Sequence, residues 1–277
     1  MLLWGKLKNN VGETFMGQHV DENEVARLMA IKAQRNVIYE IAANVNRLAR
    51  EAEASATKNL SILKIVDEKV NMVSRLMVIH KLYDTTVTRD ELDEARNLFY
   101  EVLIHLESIV SRTMDGPFSE YEEGLATIGD YTDEERFNLV RKIGFAIDSL
   151  MDAYRSDTKW KWSFVDMNMR LAVIAKNLLN LRTFVTEMDP RVDGYETRMM
   201  HLALAKELLT QAANNYREKY ELSKTQNVND MKVGIHLLLA LRRLHVALGE
   251  ADQADTIKRK AQIWQAKLND DLKKNGK

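Results

Sequence analysis

Histidine is the side chain that most readily binds a metal or moves a proton near neutral pH, and this chain carries six: His19, His80, His105, His201, His236 and His245. Metal sites inside helical bundles need carboxylate and imidazole ligands about one turn apart, as in Glu-x-x-His, His-x-x-x-His or His-Glu-x-x-His. None of the six stands in such spacing. His80 and His105 fall beside apolar stripes, the setting of a hydrogen-bonded core histidine. Cysteine is absent, which removes thiolate ligands, a cysteine nucleophile and disulfides together. No glycine-rich phosphate loop, nucleophile elbow or kinase motif set occurs. Acidic groups such as Glu122-Glu123, Asp133-Glu134-Glu135 and Asp270-Asp271 sit in helix first turns or a polar tail, where dipole compensation or solvation accounts for them. The sequence therefore offers no catalytic residue, no metal ligand set and no cofactor site. The chemical alternative left open is a small-molecule site buried between helices, around His105 and Tyr154 or in a methionine-lined cavity.

Aromatic side chains have more to offer a partner. In Lys159-Trp160-Lys161-Trp162-Ser163-Phe164, rings alternate with polar residues, and on a helix positions i and i+2 diverge by about 200°. At least one ring must be exposed or meet another element. Anchoring of an inter-lobe or intersubunit contact is one reading, packing at a helix start is the plain one, and base stacking is disfavoured by the neutral charge balance. Near the N-terminus, Trp4, Leu7, Val11 and Phe15 share one helical face, while Gly5, Gly12 and Gly17 weaken that helix. Such a segment needs a surface to lie on, as a docked arm, a partner-binding arm or an interfacial helix. The candidate partner-binding residues are thus Trp4, Leu7, Phe15, Trp160, Trp162 and Phe164. Methionines, 13 in all, gather at Met72 and Met77 and among Met151, Met167, Met169, Met188, Met199 and Met200. They suit either an adaptable apolar groove or ordinary gap-filling.

The elements that hold these residues are long helices. Residues 21–83 lack Gly and Pro, Asp21-x-x-Glu24 reads as a capping box, and Ile31, Gln34, Ile38, Ile41, Val45 and Leu48 recur at helical spacing. Glu51 to Asn59 carries only small or polar residues, so 21–83 is either one bent rod or two helices. Thr88-x-x-Glu91 opens the next helix, through Phe99, Leu106 and Ile109, and the short connection makes an antiparallel hairpin. Gly116, Pro117, Gly124 and Gly129 mark 116–131 as an irregular hinge. A third capping box, Thr132-x-x-Glu135, starts a helix through Tyr154, and another is expected from the aromatic string to Asp189-Pro190. Helices over 194–223, 229–249 and 250–272 follow, with Gly249 a C-terminal cap.

Five of these helices share a near-3.5-residue apolar period, which favours shallow antiparallel packing. The expected fold is all-α: an elongated bundle of antiparallel hairpins with about 7–9 helices, bent into two lobes. Its divisions are an arm at 1–20, a hairpin lobe at 21–115, the hinge at 116–131 and a second lobe at 132–277. Only 2 prolines and 11 glycines in 277 residues agree with this. Basic and acidic side chains, 40 and 41, are interspersed, so no nucleic-acid partner is expected. No run of about 18 apolar residues exists to span a membrane. The N-terminus lacks the features of a secretory signal, so the chain is cytoplasmic if that terminus is native and periplasmic if a signal was removed.

Leu238-x-x-Leu241, Gly249, Ala254 and Ala261 resemble the tetratricopeptide repeat, whose small residues let two helices approach closely. Arg242 and Lys258 depart from that pattern, and one hairpin of the chain is covered. In size, absence of cysteine and bent helical layout, the chain also resembles the flagellar coiling proteins that sheath spirochaete periplasmic filaments. The extended apolar seams, the amphipathic N-terminus, the aromatic string and the lack of a catalytic constellation point to a non-enzymatic structural or scaffolding protein that works through protein partners, in a homo- or hetero-oligomeric assembly.

Overall fold

The apolar stripes become ten α-helices and one 3-10 turn in a computed structural model, which describes residues 22–53, 55, 57–83, 90–154, 159–223 and 227–274. The helices are α1 (Glu22–Glu53), α2 (Lys58–Leu82), α3 (Asp90–Val110), α4 (Glu122–Ala126), α5 (Asp133–Tyr154), α6 (Lys161–Asn177), α7 (Leu181–Thr186), α8 (Tyr195–Leu222), α9 (Val228–Ala247) and α10 (Ala251–Lys274). The 3-10 turn, Phe118–Glu120, precedes α4. Eight helices are long, and the described residues contain no strand, so the protein is all-α.

Seven long helices pack in series, α1 on α2, α2 on α3, α3 on α6, α6 on α8, α8 on α9 and α9 on α10, while α5 lies across α2, α3, α6 and α8. Polar pairs fix the directions. Asn44 to Glu68 and Arg75 to Gln34 make α1 and α2 antiparallel. Tyr100 with Ser163 and Arg170 with Glu107 make α3 and α6 parallel, the excursion through α4 and α5 supplying the crossover. Two apolar cores result, one running from α1 to the start of α8 and the other within α6, α8, α9 and α10. Helix α6 separates them, giving Met167, Leu171 and Ile174 to the first and Val165, Ala172 and Val173 to the second.

Local chemistry sets the element ends. The polar stretch after Glu51 breaks the rod, and α2 folds back so that its wide apolar face, Ile62 to Ile79, is buried. Thr132 and Glu135 form the reciprocal capping box: the Thr132 N–H donates to Glu135 Oε2 at 2.7 Å and the Glu135 N–H to Thr132 Oγ1 at 3.2 Å. Asp21 and Thr88, which open the other two boxes, lie outside the described residues. Gly249, at φ 72°, closes α9: its N–H reaches Val246 O and that of Glu250 reaches His245 O, the paired bonds of a Schellman end. One expected helix is two. The stripe ending at Asp189-Pro190 stops at Asn177, and Asn180 restarts it as α7 by accepting the Thr183 N–H at 3.2 Å. Residues 116–131 hold the 3-10 turn and α4, and they put Tyr121, Leu125 and Ile128 into the first core.

Candidate functional site

The aromatic string splits between the two cores, as the divergence of i and i+2 requires. Phe164 is buried in the first core, its ring centroid 5.4 Å from that of Tyr154. Half-buried Trp160 packs on the same core, 6.2 Å from Tyr154, under the Arg96 guanidinium at 3.8 Å. Trp162 faces the other way, against the second core, with Lys161 Nζ 4.9 Å from its ring. The three rings thus fasten the start of α6 inside the chain. Trp4, Leu7 and Phe15 lie outside the described residues. His105 and Tyr154 are not brought together: Tyr154 donates to Asp93 at 2.6 Å, and His105 is 12 residues further along α3, about 18 Å. The methionines also disperse, Met72, Met77 and Met167 being buried while Met151, Met188 and Met200 are exposed.

Titratable groups concentrate at the C-terminal end of α6. His201, buried, donates from Nε2 to Ala175 O at 3.0 Å, and burial pushes its pKa down to about 4. Lys176 is buried with its Nζ 4.7 Å from the Tyr121 ring; burial lowers its pKa to about 8 against the pull of Asp115, which itself pairs with Arg243. Asn177 donates to Ser111 O at 3.0 Å, while its fully buried Oδ1 lacks a partner among the described residues. The Ser111 backbone is left-handed, φ 67°, where α3 ends. An amine held partly neutral could act as a base, but none of these groups is arranged as nucleophile, base and orienting acid. Among the described residues, no group of three or more His, Asp or Glu is placed to hold a metal. The Lys176-Asn177 pair has a signal in the sequence: two polar residues inside the apolar run from Leu171 to Leu179.

A groove of about 530 Å³ lies between α5 and α8, over α6. The two walls run parallel, tied at their N-terminal ends by Arg198 to Asp133 at 3.2 Å and by Phe137 beside His201 at 6.0 Å. They then part, because Tyr154 holds α5 to α3 and Tyr216 holds α8 to Asp166 of α6 at 3.3 Å. Val140, Leu171, Leu204 and Leu208 line the opening, and Gly144 keeps it deep: a Cβ there would stand 3.5 Å from the Leu171 side chain. On the rim, Arg141, Phe145 and Asp148 follow at i, i+4 and i+7, so they form one stripe. Phe145 is 77% exposed. Arg141 caps the Phe137 ring at 5.3 Å and has no carboxylate partner among the described residues; Asp148, raised in pKa by burial and by Asp152, has no basic one. The sequence signal was Phe145 itself, an aromatic off the apolar seam of its helix.

Helices packed in series, two cores and an apolar groove with a charged rim define an all-α protein of stacked helical hairpins. A family model matches residues 26–272, and the chain belongs to the TP0443 family. No curated protein matches. Among solved structures, a chain from work on computationally designed, self-assembling cyclic homo-oligomers is 12% identical and covers 88% of this chain and 98% of its own length. Its TM-score is 0.32, and no argument rests on it. The tetratricopeptide and filament-sheath resemblances are carried no further by these matches. No described helix is long and apolar enough to cross a membrane.

Proposed function

We propose that the protein is a non-enzymatic structural or assembly protein that works through helix-mediated contacts with protein partners. The observation that carries this reading is the bare terminal helix of the series. Helix α1 is 32 residues long yet buries only Ile31, Ile38 and Ala52, and it leaves Leu28 51% and Met29 68% exposed. A long helix packed along one edge of a row presents the kind of surface that a neighbouring helix covers. The α9–α10 hairpin, with Ala254 and Ala261 buried at its close approach, would serve similar contacts in the manner of tetratricopeptide hairpins. A sheath of a periplasmic filament is one assembly of this type. Light scattering across a concentration series, with Leu28→Asp/Met29→Asp as the control, tests the reading. Association or a defined partner complex weakened by that variant supports it; a compact monomer that shows neither counts against it.

A second reading, a small-molecule-binding helical protein or enzyme, is favoured by buried Lys176 and by Asn177 Oδ1, partnerless among the described residues. Thermal-shift screening with metals, nucleotides and lipids separates the two, because a ligand at about 100 times its Kd adds roughly 2.7 kcal/mol to the folded state.

A further inference from the structure

Helix α1 packs into the row through one face. Its three buried residues, Ile31, Ile38 and Ala52, stand about 140–160° round the helix from Asn36, so the contact with α2 and the line through Asn36 lie on opposite sides. Met29, Lys32, Ala33, Asn36, Glu40 and Ala43 follow that outward line at steps of three and four, and all six are exposed. The line carries two charges that its own helix cannot satisfy. No acidic residue lies three or four positions from Lys32 and no basic one from Glu40, and neither has an ion-pair partner among the described residues. Lys32 is one turn before Asn36 and Glu40 one turn after it, about 40° to either side of the outward line. We infer that α1 docks antiparallel on α1 of a second copy of the chain, with the two-fold axis beside Asn36 and Lys32 of each copy facing Glu40 of the other. The inference rests on the reading of the protein as an assembly component and names the partner and register of its bare edge.

The order of charges selects this arrangement. In an antiparallel pair centred on Asn36, positions equally far before and after it come level. Lys32 then meets Glu40 twice by symmetry, Met29 meets Ala43, the exposed Tyr39 ring covers Ala33, and Glu22 meets Arg50 at the two ends. With helix axes 8–10 Å apart, Cβ atoms about 40° off the line of centres are roughly 6 Å from each other across the contact, within reach of a Lys–Glu pair. A parallel pair would instead set Lys32 against Lys32 and Glu40 against Glu40. A slip of one heptad would bring Lys32 level with Arg47 in one direction and leave Glu40 against Val25 in the other. The two-fold contact is isologous and closes as a dimer. It joins two rows of helices edge to edge, and Met29 and Tyr39 of both copies leave solvent.

Because the chain has no cysteine, single introduced cysteines report the register in the full-length protein. Asn36→Cys, beside the axis, is expected to form an intermolecular disulfide on mild oxidation. Met29→Cys and Ala43→Cys should crosslink to each other when mixed, and Ala43→Cys alone should not. An Asn36→Cys variant that stays uncrosslinked, or an Ala43→Cys variant that crosslinks to itself as fast, overturns the proposal. In sedimentation of the cysteine-free protein, Lys32→Glu and Glu40→Lys should each weaken dimerisation about tenfold, since symmetry alters two pairs at once. The two together should restore it to within about threefold, and no restoration also overturns the proposal. The substituted positions are exposed, and an unchanged circular dichroism melt confirms that each variant folds. If association or a partner complex is weakened by Leu28→Asp/Met29→Asp but ignores the charge reversals and gives no Asn36→Cys dimer, the register fails and the assembly reading stands. If the chain stays monomeric at every concentration and also binds no partner, both fail.

Discussion

Gly124 stands where α4 crosses α3, and a Cβ there would lie 1.9 Å from the Ile109 carbonyl oxygen. Backbone cannot yield as a side chain can, so Gly124→Ala is expected to cost on the order of 3 kcal/mol, read as a lowered urea midpoint at unchanged m-value. Burial acts differently on His201. Its pKa in the fold, about 4, lies below the ordinary 6.5, so the fold holds it neutral. The stability linked to it is complete above pH 6.5 and is lost as pH falls from 6.5 through 4, by up to about 3 kcal/mol. Denaturation of wild type and His201→Gln at several pH values checks this, and the variant should show a shallower slope in that window. Lys176 has the same sign for the same cause, but in a higher window. Its pKa falls from 10.5 to about 8, so its protonation opposes folding below pH 8 and the penalty is relieved as pH rises toward 10.5. Lys176→Met, which keeps the stem's packing, is expected to stabilise the protein at pH 7 by on the order of 1–3 kcal/mol. A lowered melting temperature would mean that the Tyr121 and Asp115 contacts outweigh desolvation.

Helix α6 shows what pattern alone could and could not deliver. The apolar period located it, and the 200° divergence of Trp160 and Trp162 foretold that the rings would meet different elements; which elements depended on tertiary neighbours that the period does not encode. The interruption at 178–180 escaped because apolar spacing continues through Leu178, Leu181 and Val185 while Asn180 acts as a cap. The Thr132 box was legible for the opposite reason: both of its bonds form within four consecutive residues, so no distant contact is needed. The groove was hidden, since it requires α5 and α8, about 60 residues apart, to part over Leu171. Asn180→Ala should cost about 1 kcal/mol as a lost cap. Phe164→Ala, buried between Tyr154 and the first core, should cost about 3–5 kcal/mol. Paired chemical denaturation of the two distinguishes a helix end from a core joint.

In the whole molecule, serial packing makes stability uneven. Each helix in the row is held mainly by its neighbours, as in repeat proteins, so a terminal helix loses its contacts without forcing the centre open. The two ends are unequal. Helix α10 buries Trp264 and Leu268 and is tied back to α8 through Tyr220 to Asp271 at 3.0 Å and through Lys260 to Asn214 at 3.0 Å. Helix α1 is tied to α3 through Arg35, which pairs with Glu91 at 2.7 Å and Glu94 at 3.2 Å, and otherwise rests on α2 along its half-covered apolar stripe. Its amides are therefore expected to exchange with solvent through local opening at a free energy well below that of α6, whose amides report global unfolding. Native-state hydrogen exchange followed by mass spectrometry resolves this, peptide by peptide. A partner that covers Leu28 and Met29 should slow exchange in α1 while leaving α6 unchanged. Uniform exchange across α1 and α6 would mean that the row unfolds as one unit and that its edge is not separately available for assembly.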